Sequence, residues 1–281
     1  MKAARYYGKE DIRIEDVPEP TVQPGQVKVS LRSAASYLLP PLVSAPILTK
    51  KRMKIAPAFV GICGTDLHEY LGGPNFCPVN AHPITGDSIP VTLGHEFSGT
   101  ITELGPGVSG DLRVGQQVYV RPCLDCGNCA ACDAGAVNVC HSAGFIGLSG
   151  GGGGLSSAVC ADPRDVFPLP EGVSLDTGAL VEPLSVAWHA VSAGPELTPE
   201  SVVLVLGGGP IGLAVVLCLK AKGVKTIVVS EVAVSRQEFA RSFGATRVVN
   251  PLEEDVVKTM RDLSGGRGAD VSMDCAGVAA R

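Results

Sequence analysis

Val202-Val203-Leu204-Val205-Leu206-Gly207-Gly208-Gly209-Pro210-Ile211-Gly212 is the stretch that decides the fold. Its first five residues are apolar and mostly β-branched, which predicts a buried strand. The turn that follows contains G-x-G-x-x-G, a weak signal by itself in a chain with 35 glycines. Its setting makes it specific. A strand precedes it, and an apolar helix over 211–222 follows, whose first amides can hold a pyrophosphate. Gly207, Gly208, Gly209, Pro210, Ile211 and Gly212 are therefore the expected cofactor contacts. Glu231 ends the next strand, over 226–229, and lies 19 residues after Gly212. An acid there can bond a ribose 2′-hydroxyl and repels a 2′-phosphate, so NAD is favoured over NADP. Arg236 either flanks the adenine or faces solvent.

Moving toward the C-terminus, the pattern predicts a helix over 235–243, a strand over 247–249, a helix over 255–263 and a strand over 269–273. Strands alternating with helices give an α/β fold with a parallel, doubly wound sheet. The strands near 202, 226, 247 and 269 compare with about six in a complete dinucleotide fold. The expectation is thus a C-terminally truncated sheet with an exposed apolar edge.

Toward the N-terminus the character changes. Residues 1–28 alternate like short strands broken by Pro and Gly. From 55 to about 170, short apolar segments, glycine turns and a cysteine loop predict an irregular β-barrel. The chain has 281 residues and a net charge of −5. That length suggests about two domains. The charge argues against nucleic acid or an anionic membrane as a partner. There is no signal pattern, and no apolar run reaches the roughly 18 residues of a membrane span.

The ten cysteines are clustered rather than scattered. Cys126, Cys129, Cys132 and Cys140 form C-x2-C-x2-C-x7-C, which suits a closed tetrahedral zinc site better than a disulfide framework. A reducing, cytoplasmic location follows as the default. Cys123, one C-x2-C step earlier, is a competing ligand.

Residues 29–54 have no clean period, contain Pro40-Pro41 and end in Lys50, Lys51, Arg52 and Lys54. They read as a surface insertion or as a translated, unspliced intron. Val29-Ser30 permits a donor-like GTAAGT, Leu48-Thr49 permits CTAAC, and Lys54 permits AAG. Removing the segment joins Lys28 to Ile55 in one β-like run. The nucleotide sequence tests this: without GT at one end and AG at the other, the intron reading fails.

A second, open metal site is suggested by three dispersed pieces. These are Cys63 in Gly61-Ile62-Cys63-Gly64-Thr65-Asp66-Leu67-His68, then Gly94-His95-Glu96, then Glu182 before Pro183. Each has an ordinary reading: a packed thiol, a polar pair, a helix N-terminal acid. Their order around the four-cysteine loop outweighs those readings.

With these motifs in hand, the chain resembles the zinc-dependent medium-chain dehydrogenase/reductase superfamily, over nearly everything except 29–54. Within it, the sequence is similar to the (R,R)-butanediol and sorbitol dehydrogenase branch. Gly72-Gly73-Pro74-Asn75-Phe76-Cys77-Pro78, the loop at Pro83-Ile84-Thr85-Gly86, and Gly144-Phe145-Ile146-Gly147-Leu148-Ser149 favour the butanediol side. The resemblance implies a GroES-like β-barrel catalytic domain over 1–175 and a partial Rossmann domain over 176–281. It implies Zn2+ at one catalytic and one structural site, with NAD as cofactor. Cys63 and His95 would be catalytic ligands, with Glu96 and Glu182 the carboxylates at or beside the metal. Asp66 would orient His95, or serve only as a turn acid. Thr65 and His68 would pass the alcohol proton to solvent. The implied reaction is reversible oxidation of a vicinal diol such as 2,3-butanediol to a hydroxyketone (acetoin). A polyol dehydrogenase, or an inactive zinc-binding fragment, is the alternative. Family members would be homo-oligomers, with the dimer edge missing here. The run 150–154 is either a mobile edge of the substrate site or a plain flexible loop.

Overall fold

The structure is a computed structural model that describes residues 1–22, 52–108 and 111–277. Most of the segment expected as an insertion, 29–51, lies outside the described residues. The chain divides into two compact units, Met1–Val181 and Glu182–Arg281.

The first unit is built mainly of short strands: β1 (Lys2–Gly8), β2 (Asp11–Asp16), β3 (Met53–Gly61), β4 (Val91–Thr92), β5 (Glu96–Leu104), β6 (Gln117–Val120), β7 (Cys123–Leu124), β8 (Gly144–Phe145), β9 (Val159–Ala161) and β10 (Val166–Pro168). Helices α1 (Gly64–Gly72), α2 (Ala130–Asp133) and α3 (Leu175–Ala179) interrupt them. The largest sheet runs β10-β6-β5-β3-β9, and a second runs β2-β1-β4. Period-two alternation places Met53 and Ile55 of β3, Phe97 and Ile101 of β5, and Val118 and Val120 of β6 in one core. Each such side chain contributes about 1.5–3 kcal/mol on burial.

Met53 and Lys54 correct the expected end of the insertion. Met53 is fully buried and pairs with Leu104 and Ala161, and Lys54 pairs with Glu103 and Cys160. Both therefore belong to barrel strand β3. The ladder between β3 and β5 shifts register between Pro57 and Phe59, as expected where a proline cannot donate.

The glycine run at 150–154 also departs from expectation, because it is tightly packed. A Cβ on Gly153 would lie 2.4 Å from the Leu93 carbonyl, and one on Gly154 would lie 2.8 Å from the Phe97 ring. The Gly151 amide donates to Asp87 Oδ2 at 2.7 Å. These glycines allow close approach to the barrel wall rather than forming a free-standing loop.

The second unit contains α4 (Val181–Ala193, whose first residue ends the first unit), β11 (Val202–Leu206), α5 (Pro210–Ala221), β12 (Thr226–Ser230), α6 (Val234–Phe243), β13 (Arg247–Val249), α7 (Val256–Leu263) and β14 (Val271–Asp274). The sheet order is β13-β12-β11-β14, with every pair parallel. Val203, Val205, Ile227 and Val229 pack on one face with Val215 and Leu219 of α5. Val202, Leu204, Val228 and Val249 pack on the other face with Met260 of α7. Both faces are covered, which is why the strands read as continuous apolar runs. Gly244, with φ +115°, closes α6 in the left-handed conformation, and the Asp255 side chain caps α7 by accepting from the Lys258 amide. Among the described residues, β14 pairs only with β11.

Candidate metal centres and dinucleotide turn

The four-cysteine loop leaves the barrel through a short ribbon in which β7 pairs with β8, Cys123 opposite Phe145. Beyond it, the sulfurs of Cys126, Cys129, Cys132 and Cys140 all lie within 4.8 Å of one another. Sγ separations are 3.5 Å for Cys129–Cys132, 3.9 Å for Cys129–Cys140 and 3.5 Å for Cys126–Cys140. A tetrahedral zinc with sulfur at about 2.3 Å requires sulfurs about 3.8 Å apart, so the donor set fits that ion. Amides of Cys126 and Ser142 point at Cys140 Sγ. The backbone N–H of His141, followed by that of Cys132, pulls the Cys129 thiol down to about 6. Cys123 stands outside this group.

The second cluster joins Cys63, His95 and Glu96, whose ligand atoms also lie within 4.8 Å of one another. Cys63 is the N-cap of α1, and its amide donates to Asp66 Oδ2 at 2.9 Å. Gly94, with φ +95°, bends the chain so that His95 follows on the inner side. Glu96 opens β5 opposite Gly61, where a Cβ would meet its carboxylate at 2.1 Å. A glycine at 61 thus leaves room for the Glu96 carboxylate. One thiol, one imidazole and one carboxylate form a mixed set suited to an open zinc site. Burial pushes the Cys63 thiol up, partly offset by hydrogen bonding with Thr65, whose Oγ1 is 3.6 Å from Cys63 Sγ. His95 Nδ1 and Asp66 Oδ1 face each other at 3.7 Å, both buried and neither hydrogen-bonded. His68 lies exposed on α1, one turn beyond Thr65. Glu182 stands in the first turn of α4, in the second unit.

In the turn after β11, Gly207 has φ +99°, and a Cβ on Gly212 would fall 2.0 Å from the Gly207 carbonyl. Gly209 caps α5 and Pro210 takes its first position, where no amide is needed. The Gly208 amide donates to Glu231 Oε2 at 2.7 Å, and the Ala233 amide donates to Oε1 at 2.8 Å. Burial opposes ionisation of Glu231, but the amides of Ala233, Gly208 and Val232 outweigh it and hold the carboxyl below its ordinary value. Each oxygen keeps a further acceptor site for a sugar hydroxyl. Arg236 is exposed on α6.

Two features escaped the sequence reading. Glu69 is fully buried, and its carboxylate accepts the amides of Asn75 and Phe76. It follows Asp66 by three positions on α1, a helical spacing that could have flagged it. The other is an ion cluster at the neck of the cysteine loop. Arg164 pairs with Asp125 at 3.0 Å and Asp165 at 3.4 Å, and Arg121 also bonds Asp165.

Residues 49–171 match the alcohol dehydrogenase GroES-like domain, and residues 210–281 match the zinc-binding dehydrogenase family. An (R,R)-butanediol dehydrogenase of Neisseria gonorrhoeae is 42% identical over 99% of this chain and 71% of its own length. The chain belongs to the zinc-dependent alcohol dehydrogenase family. A sorbitol dehydrogenase of Bacillus subtilis is 31% identical, over 99% of this chain and 69% of its own length. The crystal structure of 2R,3R-butanediol dehydrogenase from Bacillus subtilis superposes with a TM-score of 0.82 at 40% identity, covering 99% of this chain and 71% of that one. The GroES-like barrel and parallel Rossmann-type sheet expected of an alcohol dehydrogenase are both present. Among the described residues, no helix is long and apolar enough to cross a membrane.

Proposed function

We propose that this chain is an NAD- and zinc-dependent oxidoreductase that interconverts a vicinal diol such as 2,3-butanediol with its hydroxyketone, acetoin. The convergence of Cys63, His95 and Glu96 beside Thr65 carries this reading. Identities of 42% and 40% to butanediol dehydrogenases, against 31% to a sorbitol dehydrogenase, support the diol over the longer polyol.

Cys63, His95 and Glu96 would hold the catalytic zinc. Cys126, Cys129, Cys132 and Cys140 would hold the structural one. When bound, zinc supplies Lewis acidity toward the substrate oxygen, and NAD supplies the hydride acceptor. Asp66 fixes both ends of the site: it accepts the Cys63 amide and faces His95. The Thr65 hydroxyl, next to Cys63, takes the alcohol proton, and exposed His68 hands it to solvent. Gly207–Gly212 would seat the pyrophosphate on α5, and Glu231 would take the ribose hydroxyl and exclude a 2′-phosphate.

The test is turnover of 2,3-butanediol against sorbitol with NAD, followed by nicotinamide absorbance. A higher kcat/KM for butanediol supports the proposal. Preference for sorbitol moves the chain to the polyol reading. Zinc binding without NAD binding or turnover on either substrate rejects the oxidoreductase reading.

A further inference from the structure

Glu69 is a fully buried carboxylate with no part in the chemistry above. It sits on the last turns of α1, about 9 Å along the helix from Cys63. Its carboxylate accepts the Asn75 amide at 3.0 Å and the Phe76 amide at closer range. Asn75 completes the contact, because its Nδ2 donates to the His68 carbonyl at 3.1 Å. From below, Tyr6 Oη donates to the Glu69 carbonyl at 2.9 Å, and the Gly73 amide donates to the same carbonyl. A side chain at 73 is excluded, since its Cβ would lie 2.5 Å from Tyr6 Oη and 2.7 Å from Glu69 Oε2. The chain after α1 is thereby folded back onto the His68–Glu69 turn.

A carboxylate taken wholly out of water is costly unless its lone pairs are met. Here they are met by backbone amides of the one loop that also grips the His68 carbonyl. Meanwhile Asp66, one turn earlier on the same face, holds the Cys63 end of α1. The helix that carries Thr65 and His68 is therefore fixed at both ends by buried acids.

We propose that Glu69 is a positioning residue: by clasping Asn75 and Phe76 it fixes where His68 stands relative to Thr65 and Cys63. The proposal rests on the reading of His68 as the proton exit. Glu69→Gln keeps the shape but replaces one acceptor oxygen with a donor that opposes the amides. Misplacing His68 by about 1 Å lowers kcat roughly tenfold to hundredfold and leaves KM for NAD unchanged. Added imidazole, an external proton carrier, restores turnover of both His68→Ala and Glu69→Gln.

The experiment compares the unaltered chain with His68→Ala, Glu69→Gln and Asn75→Ala on 2,3-butanediol, with and without imidazole. It also measures amide hydrogen exchange at Asn75 and Phe76. The expected result is slow exchange in the unaltered chain, fast exchange in Glu69→Gln, and imidazole rescue of both variants. Rescue of His68→Ala but not of Glu69→Gln overturns the positioning role alone. Unchanged turnover in His68→Ala rejects the proton-exit reading beneath it. Fast exchange at both amides in the unaltered chain rejects the clasp independently of activity. If Glu69→Gln does not fold, exchange at the Asn75 and Phe76 amides of the unaltered chain still tests the clasp, and Asn75→Ala tests the bond to the His68 carbonyl that completes it: unchanged turnover in Asn75→Ala overturns the positioning role.

Discussion

Asp66 and His95 face each other across 3.7 Å, Oδ1 to Nδ1, with each side chain only 6% exposed. The other Asp66 oxygen accepts the Cys63 amide at 2.9 Å. One buried carboxylate therefore lies against two of the three residues of the open cluster. Burial holds the Asp66 carboxyl above its ordinary value, an effect that the facing His95 and the Cys63 amide only partly offset.

Asp66→Asn keeps the shape and removes the charge. Zinc affinity at the Cys63–His95–Glu96 cluster is expected to fall about 10- to 100-fold. Competition with a chromogenic chelator measures this, and the four-cysteine zinc serves as an internal control that should not change.

Glu231 gives a prediction in pH. Its folded pKa is depressed, so its contribution to stability is present above the unfolded value of about 4.3 and is lost as pH falls through the folded value. In urea titrations, the deficit of Glu231→Gln relative to the unaltered chain should be constant at neutral pH and shrink in acid. The same variant loses the charge proposed to exclude a 2′-phosphate. The ratio of kcat/KM for NAD over NADP should therefore fall by about tenfold or more.

The Arg164 cluster anchors the cysteine loop through Asp125, the residue next to Cys126. Asp125 and Asp165 side chains are 7% and 3% exposed, whereas Arg164 is half exposed. Replacing Arg164 with Met strands the buried Asp125, while Asp165 keeps its bond to Arg121. After allowing for solvent screening at the guanidinium, the loss is about 1–2 kcal/mol. Thermal unfolding measures it, and a second change, Asp125→Asn, should recover part of the loss.

Two glycine substitutions separate packing from backbone conformation. Gly153→Ala drives a methyl to 2.4 Å from the Leu93 carbonyl and should cost about 2–3 kcal/mol. Gly172 has φ +83° but open space around its Cβ. Gly172→Ala should cost only the left-handed penalty of about 1 kcal/mol. Equal losses in denaturant titrations would show that the run at 150–154 is not packed as described.

These contrasts also explain what the sequence made legible. Strands Val202–Leu206 and Arg247–Val249 coincide with the expected spans, and α5 is displaced by one residue at each end, because apolar runs bounded by glycine turns carry local signals. Helix α4 was legible only at its start: Glu182 before Pro183 reads as a helix N-terminal acid, and Pro183 sits in the first turn, where its missing amide costs nothing. The start of β3 was hidden by basic residues. Lys54 reads as part of a charged tail, but its amino group pairs with Glu19 and Glu103 along the barrel wall. In the site, Cys63, His95 and Glu96 were found by order and chemistry. Glu69 was not, because a carboxylate between His68 and Tyr70 looks like a solvated helix face until the Asn75 and Phe76 amides are seen to meet it.

The central claim is that one chain holds two zinc sites of different chemistry, an open Cys63–His95–Glu96 cluster and a closed four-cysteine lobe. Zinc counted per purified chain by elemental analysis, in the unaltered protein and in Cys63→Ser and Cys129→Ser, tests it most directly. The account predicts two zincs in the unaltered chain and one in Cys63→Ser, with Cys129→Ser losing the other. A single zinc that survives Cys63→Ser would contradict it.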